Sequence, residues 1–189
     1  MSEYIADKNY QDLVFTENEL NYKEFEGCTF INCVFSACSF KANAFIDCFF
    51  LGCNFNDAQI NHVSFRTVLF KNCEIKGVNF AMCDRKIFEV NFENCVLNFS
   101  KFYSLNLKNA SFIKSSLVAV DFMDALISGL HFIECDLYRA EFSKANANKT
   151  NFVSSFNYSI DPTITKIKKA QFSKNEVKGL LSKYDILVY

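Results

Sequence analysis

Nine cysteines and two histidines are the residues of this 189-residue chain that could bind a metal, carry redox chemistry or act as nucleophiles. A zinc site needs thiolates or imidazoles at short spacings such as Cys-x-x-Cys, so that one ion meets several ligands. No such pair occurs. Instead Cys28, Cys33, Cys38, Cys48, Cys53, Cys73 and Cys83 are separated by multiples of five, and Cys95 and Cys135 share a second phase of the same period. An odd count without close pairs suits reduced thiols in the cytoplasm. His62 and His131 have no partner motif, and the carboxylates are scattered. Gly-rich phosphate loops and nucleophile elbows are missing from the sequence. The expectation is a protein with no catalytic residues, no metal and no cofactor.

The spacing of the cysteines belongs to a larger pattern. A large apolar residue recurs every fifth position: Phe25, Phe30, Phe35, Phe40, Phe45, Phe50, Phe55, Ile60, Phe65, Phe70, Ile75, Phe80. The series resumes at Ile87 and Phe92 and runs on to Phe152. A period of five fits neither a helix nor a simple strand. It predicts a solenoid built from five-residue units. Two positions before the large residue stands, in nearly every unit, a small one, and all nine cysteines sit there. Residues two apart in an extended segment point to one side. One large and one small residue per unit then fill a narrow tube, and Cys serves as a small buried hydrophobe. Two positions after the large residue stand Gly, Asn and Asp, including Gly27, Gly52, Gly77 and Gly129. These mark corners whose backbone favours positive φ.

Four such units close a square coil of 20 residues, with coils stacked as parallel strands. In the second half Phe alternates with Leu or Ile, which places Phe on two opposite walls and aliphatics on the other two. Tyr10, Phe15 and Leu20 keep the phase, so the first coil is expected to begin near residue 8. A filled tube leaves no interior pocket for a substrate. Phe80 to Phe92 is two residues too long, and the misfit lies in Cys83 to Ile87. A two-residue bulge at a corner accounts for it. The triplet Asp84, Arg85 and Lys86 is then either a charged protrusion that touches a partner or a tolerated surface insertion.

The chain carries 20 basic and 21 acidic side chains, a net charge of -1, which argues against a general nucleic-acid binder. Residues 1–26 hold seven acids against two bases, so the N-terminal tip is the acidic region. No apolar run follows a basic start and no stretch suits a membrane span, so neither a signal peptide nor membrane contact is expected.

The repeat fades after Phe152, and Asp161-Pro162 marks a boundary. Ser173 to Glu176 reads as a capping box. Val177, Leu180, Leu181 and Tyr184 follow at i, i+3, i+4 and i+7, one face of a short helix. Ile186, Leu187 and Val188 prolong the apolar strip. The expected organisation is a β-helix over 1–160 and a capping segment over 161–189. That cap either closes its own rod or also pairs two copies about a two-fold axis. The strip exceeds what one helix needs, which favours a dimer through Val177, Leu180, Leu181, Tyr184, Ile186 and Val188.

The unit resembles the pentapeptide-repeat family, whose motif is Ala, Asp or Asn, Leu or Phe, and two variable residues. Matching stretches include Cys53-Asn54-Phe55, Val78-Asn79-Phe80, Val120-Asp121-Phe122, Ala140-Glu141-Phe142 and Thr150-Asn151-Phe152. The resemblance covers about residues 10 to 155 and implies an all-β fold, a right-handed quadrilateral parallel β-helix with a short C-terminal capping helix. The tail looks like that of the Qnr quinolone-resistance branch and the microcin B17 immunity protein. That likeness implies a cytoplasmic dimeric DNA mimic that binds DNA gyrase or topoisomerase IV and protects it from quinolones or a peptide toxin, without touching nucleic acid itself. The sequence departs from that branch in lacking a long loop and in being barely acidic.

One outward feature competes. With the break at a corner, Ile31, Phe49, Leu51, Leu69, Ile113 and Ile133 fall on one wall. Such a stripe is either a protein contact or a scatter of surface apolar residues. The alternative function is therefore a structural interaction module for an unrelated partner.

Overall fold

The computed structural model describes residues 2–16, 19–184 and 186–187. Its strands stack in parallel, in register, with an offset of 20 residues: Tyr10 on Phe30, Phe30 on Phe50, Phe50 on Phe70. Past the break the offset is 22, as Phe70 pairs with Phe92. It then returns to 20, with Phe92 on Phe112 and Phe112 on Phe132. The result is a right-handed parallel β-solenoid with four walls per coil.

Wall 1 is centred on Ile5, Phe25, Phe45, Phe65, Phe88 and Leu107, and wall 2 on Tyr10, Phe30, Phe50, Phe70, Phe92 and Phe112. Wall 3 is centred on Phe15, Phe35, Phe55, Ile75, Leu97 and Leu117, and wall 4 on Leu20, Phe40, Ile60, Phe80, Phe102 and Phe122. Corners are turned by single residues at positive φ, including Asn32, Asp57, Asn72 and Asp124. Alanine takes the same conformation at positions 37, 42 and 119. The closed coil therefore imposes the corner geometry, and Gly, Asn and Asp ease it.

The core is aromatic. On wall 2 nine rings stack in one column from Tyr10 to Phe172, with centroids 4.7 Å apart between Phe30 and Phe50 and 5.5 Å between Phe112 and Phe132. Wall 4 faces it with its own stack, in which Phe102 and Phe122 are 5.5 Å apart. Rings of the two stacks meet edge to face, at 88° for both Phe102–Phe112 and Phe112–Phe122. Leu107, Leu117, Ile127 and Leu137 fill the other two walls and are fully buried. The alternation of Phe with aliphatics thus keeps each coil's cross-section constant. An interior gap lined by Phe40, Phe55, Phe65 and Phe80 amounts to about 10 Å³, no more than one water needs.

The structure corrects several expectations. The ladder starts at Glu3–Ala6, which pairs with Lys23–Glu26, so Ile5 rather than a residue near 8 opens the first coil. Phe88, not Ile87, fills wall 1 after the break and pairs with Phe65. Three residues are added between Cys83 and Phe88. One is then lost, because Phe88, Val90 and Phe92 alternate inward along one straight strand, Phe88–Glu93. The larger ring wins the buried place, and Ile87 is left half-exposed. At the far end the stacking continues past Phe152, with Asn146 bridged to Lys166 and Asn151 to Gln171.

The tail differs most. Instead of one helix it forms two 3-10 turns, Val177–Leu180 and Ser182–Tyr184. The capping box does not form. Ser173 Oγ accepts from the Asn175 N–H at 3.2 Å, and the Glu176 carboxylate accepts from the Asn157 N–H at 3.1 Å. Gly179 explains the tight turn. It is buried against the Tyr158 carbonyl, where no Cβ would fit, and its own carbonyl accepts from the Ile160 N–H at 3.0 Å. So short a segment gains little from helical hydrogen bonds alone, and docking on the last coil decides its shape.

Candidate interaction surfaces

The thiols are the chemically richest groups of the chain. All nine are free and buried. Each of Cys48, Cys53, Cys73 and Cys135 directs its Sγ to the carbonyl 23 residues back at 3.4 Å. The thiol is therefore a donor that ties one coil to the coil beneath, as well as a small hydrophobe. Ser100, Thr150 and Ser155 take the same place and make the same bond, to Ile75, Ile127 and Phe132. Those hydroxyls in the small-residue position were the sequence signal for this role. Burial pushes the Cys48 and Cys83 thiols up to about 12 and Cys135 up to about 11. Hydrogen bonding with Cys53 and Cys95, with burial, raises Cys73. Neutral, water-excluded thiols are poor nucleophiles and poor ligands. Among the described residues no group of three or more His, Cys, Asp or Glu side chains could hold a metal ion. His62 and His131 stand outward and exposed.

The apolar stripe lies on wall 2. Phe49 pairs with Leu69, and Ile31 with Leu51, on either side of the ring stack. Ile113 pairs with Ile133 further along. Between the two groups lie Lys71 and Glu93, joined by a 2.7 Å ion pair. The structure therefore brings Ile31, Phe49, Leu51 and Leu69 into one half-exposed patch and sets Ile113 and Ile133 apart from it.

The charged triplet forms a folded corner. Phe80–Met82 makes a 3-10 turn, capped by the Asn79 side chain accepting from the Ala81 N–H at 3.1 Å. Arg85 folds back, and its Nε and Nη2 donate to the Ala81 carbonyl at 3.3 and 3.1 Å. Asp84 accepts from the Lys86 N–H at 2.9 Å. Arg85 and Lys86 are exposed, and Asp84 is half-exposed.

At the C-terminal end Tyr158 packs on Phe152 and Phe172, with centroids 5.8 and 5.6 Å away. Leu180 packs against the core, while Val177, Leu181, Tyr184, Ile186 and Leu187 are exposed. Leu181, Ile186 and Leu187 line an open cleft of about 400 Å³ with Tyr138. Val188 lies outside the described residues. Lys183 reaches back to Asp161 at 2.8 Å and, with Thr163, holds the Asp161 carboxyl down at about 2. Among the described residues no helix is long and apolar enough to cross a membrane.

A family model described as "Pentapeptide repeat region" matches residues 23–87 and 85–156. The chain belongs to the pentapeptide-repeat family. Among solved structures, a trypsin-treated form of QnrB1, a plasmid-mediated fluoroquinolone resistance protein, has a TM-score of 0.64 at 15% identity, over 98% of this chain and 100% of that one. HetL, a pentapeptide-repeat protein involved in heterocyst differentiation regulation in a Nostoc cyanobacterium, has a TM-score of 0.75 at 12% identity, over 92% of this chain and 87% of that one. At these identities the likeness is one of fold. No curated protein sequence matches this pentapeptide-repeat chain.

Proposed function

We propose that this pentapeptide-repeat protein is a non-enzymatic cytoplasmic rod of the Qnr or microcin B17 immunity type. In this reading residues 161–189 pair two copies and the paired rods bind DNA gyrase or topoisomerase IV, modulating it or protecting it from quinolones or a peptide toxin. What carries the reading is the C-terminal end. Leu180 anchors a short segment on the last coil, and that segment still presents Val177, Leu181, Tyr184 and Ile186 to solvent. Apolar side chains concentrated on one end of a rod mark a contact. The rod of QnrB1, a fluoroquinolone resistance protein, matches this chain along nearly its whole length, which supports the choice of partner. The acidic N-terminal coils, with Asp7, Glu24, Glu26 and Asp47 outward on wall 1, are where a DNA-like charge would lie.

Two measurements test this. Light scattering after gel filtration should give a dimer for the wild type and a monomer for Leu181→Asp. Gyrase supercoiling in the presence of a quinolone should be restored, or supercoiling inhibited, in proportion to added protein. A monomeric wild type, or gyrase indifferent to the protein across a wide concentration range, refutes the reading.

The wall 2 patch favours a second reading, an interaction module for an unrelated protein. Phe49→Asp with Leu51→Asp should abolish that partner's capture. A topoisomerase-directed mimic should depend more on Glu24 and Glu26.

A further inference from the structure

The net charge of -1 conceals a segregation that emerges only once the coils are stacked. Wall 1 changes sign along its length. Its first three coils present Asp7, Glu24, Glu26 and Asp47, and their one base, Lys23, is paired with Glu3 at 2.9 Å. From the fourth coil it presents Arg66, Lys108, Lys149, Lys166, Lys168 and Lys169, all exposed. Arg85 and Lys86 add two more cations at its edge. The register places these residues together. Arg66 follows Ile46 on wall 1, and Asn106, Leu126, Asn146 and Lys166 form one column. Lys149 donates its N–H to the Lys168 carbonyl at 2.9 Å.

Two further features bear on what this stretch could bind. None of these cations takes part in an ion pair among the described residues, whereas five other lysines do. The polar groups between them also point their donors outward. The Oδ1 atoms of Asn106, Asn146 and Asn148 accept from the backbone N–H groups of Lys108, Asn148 and Lys168, at 3.2, 3.3 and 2.7 Å. Their Nδ2 groups are left without a partner among the described residues. Of the carboxylates nearby, Glu89 accepts from Asn109 at 3.3 Å and Asp84 from the Lys86 N–H, and Asp124 stands exposed at the corner that enters the wall. The surface is thus a strip of donors with few free acceptors. It suits a ligand that only accepts and carries repeated negative charge.

We propose that wall 1 from Arg66 to Lys169 binds the phosphate backbone of a nucleic-acid duplex, without reading sequence. At the strand spacing of about 4.8 Å, five steps from Arg66 to Lys168 span roughly 24 Å. That length covers a minor and a major groove, roughly 6 and 12 Å wide, and so reaches more than one phosphate strand. Lys, Arg and Asn are residue types that commonly contact phosphate. This stretch offers no exposed ring for unpaired bases to stack on, which disfavours a single strand. A lipid bilayer fits less well, because a plane laid on wall 1 would also press on its acidic first coils, whereas a duplex can cross the basic stretch alone. The inference does not depend on the topoisomerase reading and can fail without it.

The test is fluorescence anisotropy of the full chain with a labelled duplex of roughly 20 base pairs, between about 50 and 200 mM salt. Binding should weaken at least tenfold across that range and be competed equally by duplexes of unrelated sequence. The triple substitution Lys108→Gln, Lys166→Gln and Lys168→Gln should weaken it at least tenfold at low salt. It should also flatten the salt slope by up to about 2.7, at about 0.9 for each phosphate no longer neutralised. Lys76→Gln with Lys101→Gln and Lys114→Gln, on the other walls, should change little, and circular dichroism should show both variants folded. No binding at about 50 mM salt, or equal losses in both triple variants, overturns the proposal. Attachment to phosphatidylserine vesicles through the same lysines, without duplex binding, overturns it in favour of a membrane.

Discussion

Replacing Phe112 by alanine probes how this rod is held together. The ring is fully buried in the wall 2 column, 5.2 Å from Phe92 and 5.5 Å from Phe132. It also meets Phe102 and Phe122 edge to face, at 5.5 and 5.8 Å. A buried Phe→Ala change costs about 3–5 kcal/mol through the transfer energy removed and the cavity left behind. Four ring contacts, each worth about 0.5–1.5 kcal/mol beyond area, place this site toward the upper end. With a urea m-value of about 2 kcal/mol per M, a loss of about 4–5 kcal/mol lowers the unfolding midpoint by about 2–2.5 M. A solenoid coil contacts only its neighbours. The vacancy therefore weakens both interfaces of one coil, and the melt should broaden or split as the two ends unfold separately. Urea titration followed by far-UV circular dichroism measures both effects. Val153→Ala, on an exposed side chain of the same wall, should stay within about 0.5 kcal/mol. A loss below about 1 kcal/mol at Phe112, or equal losses at the two sites, would refute an aromatic column as the main support.

Leu117→Asp should leave the chain unfolded at room temperature, because it buries an unpaired carboxylate at a fully enclosed site; an unchanged melting temperature contradicts the inward assignment. Gly179→Ala should free the C-terminal turns, since a Cβ would strike the Tyr158 carbonyl. Limited proteolysis should then trim the tail while the coils stay intact, and a tail as resistant as the wild type's would rule out this anchor. The thiols give a pH dependence. Folding raises Cys48 and Cys83 from the ordinary 9.0 to about 12 and Cys135 to about 11, so their stabilising contribution is complete below pH 9 and is lost as pH rises from there toward 12. Urea midpoints should hold steady up to about pH 8.5 and then fall, with no thiol labelled by a maleimide before unfolding. Rapid labelling of the native chain at about pH 8 would contradict the burial.

The sequence alone determined the coil. A large residue every five, a small one two places earlier and turn formers two places later are satisfied together by a square tube, in which each unit turns one corner and four units close the coil. It also placed the cysteines at the small inward position, and Phe on opposite walls in the second half. The alternation from Phe92 to Phe152 has no other geometric meaning in a four-walled coil. Only the tertiary structure decided the rest. Phe88 displaces Ile87 because the buried place goes to the larger ring, a competition invisible in a periodic count. The tail folds as two tight turns because Gly179 and Lys183 dock on the last coil, and that docking outweighs the helical spacing of Val177, Leu180 and Leu181. Which charges share wall 1 depends on the shift from 20 to 22 residues at the break. Arg66 and Lys168 are distant in sequence and neutralised in the total, and stacking is what sets them on one face.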